Sequence, residues 1–152
     1  MKKTNVSDKI VSEDLKNIFN TTESLWKELQ GKQIFLTGAT GFFGTMLLES
    51  FLFANKKLDL NAKAVVLTRD PEAFQTQSPH IFSNPSISFH IGDVRDFEFP
   101  EGRFSHIVHG ATTSATETFN KQDPLLKYDT IAEGTRHVLD FAVHCNCKKF
   151  LL

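Results

Sequence analysis

Two cysteines, one tyrosine and one tryptophan occur among 152 residues. The cysteines, Cys145 and Cys147, flank Asn146 and have no other partner in the sequence. They supply no disulfide framework, and two thiolates fall short of the four ligands of a structural zinc site. They read as ordinary cysteines near a helix end, which fits a reducing, cytoplasmic setting. The other potential ligands, six histidines at 80, 90, 106, 109, 137 and 144, show no metal-ligand spacing, so no metal is expected. No apolar run approaches the ~20 residues of a membrane-spanning helix. "MKKTNVSDK" has basic residues without an apolar segment behind them and does not read as a secretory signal. Seventeen basic against eighteen acidic residues leave a formal charge of -1. That balance gives no electrostatic reason to expect nucleic acid or an acidic membrane as a partner.

Apolar residues make up 40% and charged residues 23%, as in ordinary globular domains. No internal repeat or low-complexity tract interrupts them. Residues 1–30 read as a helical extension of two short helices. Ser12 would cap the first, and Asn20 with Glu23 would box the second. Leu25, Trp26 and Leu29 would give the second an apolar stripe, and Gly31 would end it.

Strands and helices then alternate over 31–152. Strands are expected at 33–37, 62–68, 86–91, 104–110 and 148–152. A helix is expected at 42–55 with Met46, Leu47, Phe51 and Ala54 toward one side. A long helix follows Asp123 as cap and Pro124 as first residue, with Tyr128, Ile131, Thr135, Val138, Leu139 and Ala142 at helical spacing. Residues 71–85 carry three of the five prolines and read as irregular, with room for a short helix. Apolar strands separated by helices imply an α/β fold: a doubly wound, Rossmann-like parallel sheet of order 3-2-1-4-5.

The segment Thr37-Gly38-Ala39-Thr40-Gly41-Phe42-Phe43-Gly44 joins the first strand to the first sheet-covering helix. Its spacing is G-x-x-G-x-x-G. Gly38 permits the tight strand exit, Gly41 lets backbone approach a pyrophosphate, and Gly44 lets the helix pack closely. The helix start, from Thr40 through Phe42 and Phe43, offers unpaired N–H groups and a positive dipole end to phosphates. A P-loop is excluded because no Gly-Lys-Ser/Thr follows. A methyltransferase glycine loop fits the spacing less well. Arg69 follows the second strand, where NAD enzymes place an acid on the ribose 2′-hydroxyl and where an arginine suits the 2′-phosphate of NADP. Asp70 beside it keeps NAD open.

"FLTGATGFFG" resembles the cofactor loop of the extended short-chain dehydrogenase/reductases, the NAD-dependent epimerase/dehydratase group. "GDVRD" (92–96), "VHGAT" (108–112) and "DTIAEGTRHVLDFA" (129–142) are similar to further segments of that family. The resemblance covers about residues 31–152. It is greatest to sugar-nucleotide dehydratases such as dTDP-glucose 4,6-dehydratase, which use NAD, whereas Arg69 points to NADP. It implies that Asp93 hydrogen-bonds the adenine amino group and that the Val94 backbone touches the ring. It implies that Ala111 and Thr112 pass the ribose and nicotinamide side, with Thr113 and Ser114 beside them. It also implies a nucleotide-sugar substrate and a homodimer with the 123–145 helix at the interface; Gly134 in that helix would permit close packing against the sheet or a second subunit. His109 reads as a packed, hydrogen-bonded group.

The family's catalytic pair is Tyr-x-x-x-Lys. Here the only tyrosine, Tyr128, has Ala132 four residues on, and reads as a packed aromatic of the long helix. In the family the catalytic Ser/Thr, Tyr and Lys lie beyond the fifth strand, so the sequence is expected to be a truncated, cofactor-binding part, inactive alone. Two alternatives stay open: a non-catalytic NAD(P)-binding sensor or interaction module, and part of an NADP-dependent carbonyl reductase.

Overall fold

A computed structural model describes residues 6–113 and 123–152, with side chains from residue 12 onward. Ser114, expected beside the cofactor groove, lies outside the described residues. Five strands form one parallel sheet in the expected order 3-2-1-4-5. They are β1 (Gln33–Thr37), β2 (Lys63–Thr68), β3 (Ile87–Ile91), β4 (His106–His109) and β5 (Lys149–Leu151). β1 lies at the centre, with Leu36 opposite Val66 of β2 and Val108 of β4.

Side chains alternate across β1, and each face meets its own core. Ile34 and Leu36 pack with Ala64, Val66, Leu48 and Phe51 on one face. Phe35 packs with Phe97, Phe104 and Phe141 on the other, with ring centroids 5.5, 5.6 and 4.8 Å away. Pairs of this kind each add about 0.5–1.5 kcal/mol beyond area burial. Burial on both faces explains why β1 carries no polar alternation between its end residues, Gln33 and Thr37.

The helices are α1 (Val6–Trp26), α2 (Phe42–Leu58), α3 (Pro71–Gln77), α4 (Pro79–Phe82) and α5 (Pro124–His144). α1 corrects the expectation of two helices. No glycine or proline interrupts it, so Ser12 and Asn20 stand inside it rather than at caps. The Thr21 and Thr22 hydroxyls donate back to the carbonyls of Asn17 and Ile18. A 3₁₀ turn, Lys27–Leu29, follows, and Gly31 at φ 63° closes the segment. Leu29 is buried and Trp26 packs on the core, but Leu25 is exposed. α1 lies on α2, with Phe19 edge-on to Phe53 at 5.6 Å. α2 is thus covered on two sides, which accounts for its broad apolar surface and for buried Leu48 beside Phe51 and Ala54. Glu28 pairs with Lys149 and stands 4.0 Å from His106 Nε2, tying this segment to the amino-terminal edge of β4 and β5.

The 71–85 segment is more ordered than expected. Asp70 caps α3 by accepting from Ala73 N–H, and Pro71 and Pro79 occupy first-turn positions where a missing N–H is harmless. Asp123 caps α5 through Leu125 N–H as expected. The face of α5 differs. Gly134, Val138 and Phe141 turn inward, whereas Tyr128, Ile131 and Leu139 are exposed. Tyr128 is therefore not a packed aromatic; it is 67% exposed. Helical spacing identified the apolar positions but not which side the sheet would cover.

Candidate functional site

The carboxyl ends of β1, β2 and β4 and the loop after β3 surround a cleft of about 620 Å³. This is the end of a doubly wound sheet where ligands enter. Gly38, Thr40, Gly41, Phe42, Phe43, Gly44, Arg69, Asp93, Val94, Ala111 and Thr112 all line it. So do Ala73, Phe74 and Gln77 of α3 and Leu126 and Thr130 of α5, which sequence reasoning missed. Their motif carries no signal, because they arrive from helices that the glycine pattern does not specify.

The three loop glycines have different physical roles. Gly38 has φ 71°, and a Cβ there would sit 2.3 Å from Gly110 O. A Cβ at Gly44 would sit 2.2 Å from Ala39 Cα. Both close approaches are to backbone, so the fold itself demands these glycines. Gly41 is different. Its φ of -82° suits any residue, and its nearest would-be neighbour is Gly38 O at 3.4 Å. Among the described residues, nothing requires glycine at 41. The first-turn N–H groups of α2 that follow it open toward the cleft without helical partners. Phe42 and Phe43 line the cleft and are 79% and 85% exposed.

His109 ends β4 inside the molecule, 4% exposed. Its Nδ1 shares a 2.7 Å hydrogen bond with Thr37 Oγ1, and its Nε2 a 3.1 Å bond with Thr135 Oγ1 of α5. Thr37 Oγ1 also accepts from Ala111 N–H, and Gly110 N–H donates to Thr37 O. The network locks the Gly110–Thr112 loop against Gly38. Burial pushes the His109 pKa below its ordinary value, so the ring is held neutral. This agrees with the packed, hydrogen-bonded reading.

Asp93 sits in the turn after β3, where Arg95 grips its carboxylate through Nε at 2.7 Å and Nη2 at 3.1 Å. The Arg95 hydrogen bond holds its pKa below the usual carboxylate range, and Arg69 adds to the effect. Among the described residues, Thr113 Oγ1 is buried at the cleft without a partner. Gly134 is buried within the chain, as expected of close packing against the sheet side. Its missing Cβ makes room for Val94, whose Cγ1 would lie 2.8 Å from it.

A parallel sheet of this order, with a glycine loop opening α2 beneath such a cleft, defines a Rossmann-like nucleotide-binding fold. The chain belongs to the NAD dependent epimerase/dehydratase family, whose model matches residues 34–152. It is 27% identical over 124 residues to UDP-glucose 4-epimerase of Rickettsia rickettsii, covering 80% of this chain and 36% of that protein. It is 29% identical over 115 residues to CDP-glucose 4,6-dehydratase of Salmonella typhimurium, covering 73% of this chain and 30% of that one. The chain thus spans about a third of the length of these relatives. The solved dTDP-glucose 4,6-dehydratase of Streptomyces venezuelae, with NAD bound, superposes with a TM-score of 0.57 at 24% identity, over 78% of this chain and 38% of that one. An epimerase of Methanothermobacter thermautotrophicus gives 0.63 at 20% identity, over 87% and 38%. Among the described residues no helix is long and apolar enough to cross a membrane.

Proposed function

We propose that the cleft holds a nicotinamide dinucleotide and that the chain is the cofactor-binding part of an NAD(P)-dependent sugar-nucleotide epimerase or dehydratase. The carrying observation is Gly41, a glycine that neither backbone conformation nor packing among the described residues requires. A ligand brought against the backbone supplies the missing reason. The pyrophosphate would lie on the N–H groups of Phe42, Phe43 and Gly44. Asp93 and Val94 would meet the adenine, and Ala111 and Thr112 the ribose and nicotinamide side. The Thr113 hydroxyl is suited to bond a ligand group there. When bound, the cofactor would remove a hydride from a sugar carbon and return it.

Arg69 lines the cleft beside Asp70. Asp70 is engaged through one oxygen as the α3 cap, and Arg69 carries the charge that suits a 2′-phosphate. This favours NADP, while the resemblance to NAD-using dehydratases favours NAD. The chain is proposed to be inactive alone. Tyr128 is exposed on α5, and Ala132 stands where the catalytic pair needs lysine. The absence of that pair equally suits a non-catalytic dinucleotide-binding module. A homodimer through α5 is proposed from its exposed Leu125, Tyr128, Ile131, Leu139 and Val143 rather than from Gly134.

Calorimetry on wild type and Gly41→Val with NAD and NADP tests the cofactor reading. The variant should keep its melting temperature within a few degrees and lose binding of both dinucleotides. Equal binding by both proteins would remove the loop from the site.

A further inference from the structure

We propose that Cys145 and Cys147 form a thiol–disulfide switch at the junction of α5 and β5, closed and opened by exchange with small disulfides and thiols of the glutathione class. Both thiols are free and half-buried in the structure. Neither residue lines the cleft, so the switch stands apart from the dinucleotide reading.

The way α5 ends brings the two residues together. Cys147 N–H donates to Ala142 O at 2.9 Å and Asn146 N–H to Val143 O at 3.1 Å. These are the paired bonds of a helix terminated by a left-handed residue. That residue is Asn146, at φ 54°. Asparagine enters this region more readily than most residues, because its short side chain can bond locally. A single residue in a helical turn of either hand sets its two neighbours' Cα atoms about 5.4 Å apart, from the radius and rise of the helix. Disulfides span about 4.4–6.8 Å between Cα atoms.

The side chains also share a direction. Cys145 and Cys147 both pack against the core that contains Phe35, Phe104 and Phe141. The Cys145 thiol is within hydrogen-bond reach of the Phe104 backbone, and Cys147 Sγ lies 3.6 Å from Ser105 O, the next residue. Burial pushes the Cys145 thiol up, and the Cys147 sulfur nearby adds to the effect. The first attack therefore falls to Cys147. Its thiolate attacks one sulfur of the small disulfide, forms a mixed disulfide and releases one thiolate. The Cys145 thiolate then attacks the Cys147 sulfur and releases the second. The chain loses two hydrogens and two electrons, and the small disulfide becomes two thiols. Closure removes the thiol hydrogen that Cys147 directs to Lys149 O at 3.0 Å, a weak donor whose loss costs little.

The test equilibrates the wild-type chain, Cys145→Ser and Cys147→Ser with mixtures of reduced and oxidised glutathione. Acid quenching, alkylation and intact-mass measurement count the thiols. The wild type should lose the mass of two hydrogens, keep no glutathione and stay a single covalent chain. Cys145→Ser should retain one glutathione on Cys147. The closure constant of the wild type should be about ten-fold larger in buffer than in denaturing urea, since an unfolded non-glycine residue visits the left-handed region only as a minor fraction. By linkage the oxidised chain should then melt at higher urea than the reduced one. A wild type that holds glutathione, links chain to chain or does not react overturns the proposal. So does a closure constant in buffer equal to or below that in urea, a result that needs no variant to fold.

Discussion

Gly134→Ala places two known effects in opposition. In an exposed helix the change would stabilise by about 1 kcal/mol, the propensity difference between the two residues. In α5 the new methyl would lie 2.8 Å from Cγ1 and 3.4 Å from Cγ2 of Val94. Val94 is 8% exposed and packs with Phe35, Phe97 and Phe141, so it has little space to retreat. Overpacking of this kind costs about 1–3 kcal/mol. The expected net is a loss of up to about 2 kcal/mol. Val94→Ala alone removes two methyl groups and should lose about 1.6 kcal/mol. In that background the methyl at 134 has room, so Gly134→Ala should become stabilising by up to about 1 kcal/mol. Urea melts of the four proteins, compared at constant m, give the cycle directly. Because Val94 lines the cleft, the single Gly134→Ala variant should also bind dinucleotide more weakly. If Gly134→Ala stabilises by the same amount in both backgrounds, the helix and the Val94 turn are not in contact and the reasoning fails.

Phe35→Ala should cost about 3–5 kcal/mol, the range for a buried aromatic, because three ring contacts are lost with it; chemical melts measure this. Below the ordinary imidazole pKa of 6.5 the unfolded chain takes up a proton that buried His109 refuses. Stability should therefore fall as pH drops from about 6.5 toward the lowered folded value, and His109→Gln should flatten that part of the curve. Arg69→Ala should weaken NADP about ten-fold or more, given a charge-assisted phosphate contact worth about 1.5–3 kcal/mol, and leave NAD little changed. A wild type that prefers NAD would refute that assignment. Light scattering should show a dimer that Val143→Glu disperses; a monomeric wild type would remove α5 as an interface.

The strand–helix alternation and the glycine loop were legible because their causes are local. A strand exit, a tight turn and a helix start each occupy a few residues, and Gly38, Gly41 and Gly44 mark them by spacing alone. Asp123 and Pro124 signalled the start of α5 for the same reason. Tertiary structure decided what those residues face. Tyr128 and Val138 share one apolar spacing pattern, yet only Val138 meets the sheet. α1 runs unbroken, and its contact with α2 gives Phe53 a partner 34 positions earlier in the chain, Phe19. Gly134 proved to be a seat for Val94, and Asp93 proved to be gripped by Arg95. The distinction between Gly41 and its two neighbours also required the folded backbone, because it depends on Gly110 and Ala39 standing beside the loop. Spacing encodes conformation, which is set within a few residues. Burial and contact depend on which distant segments the fold brings alongside, and that information resides in no single stretch of the chain.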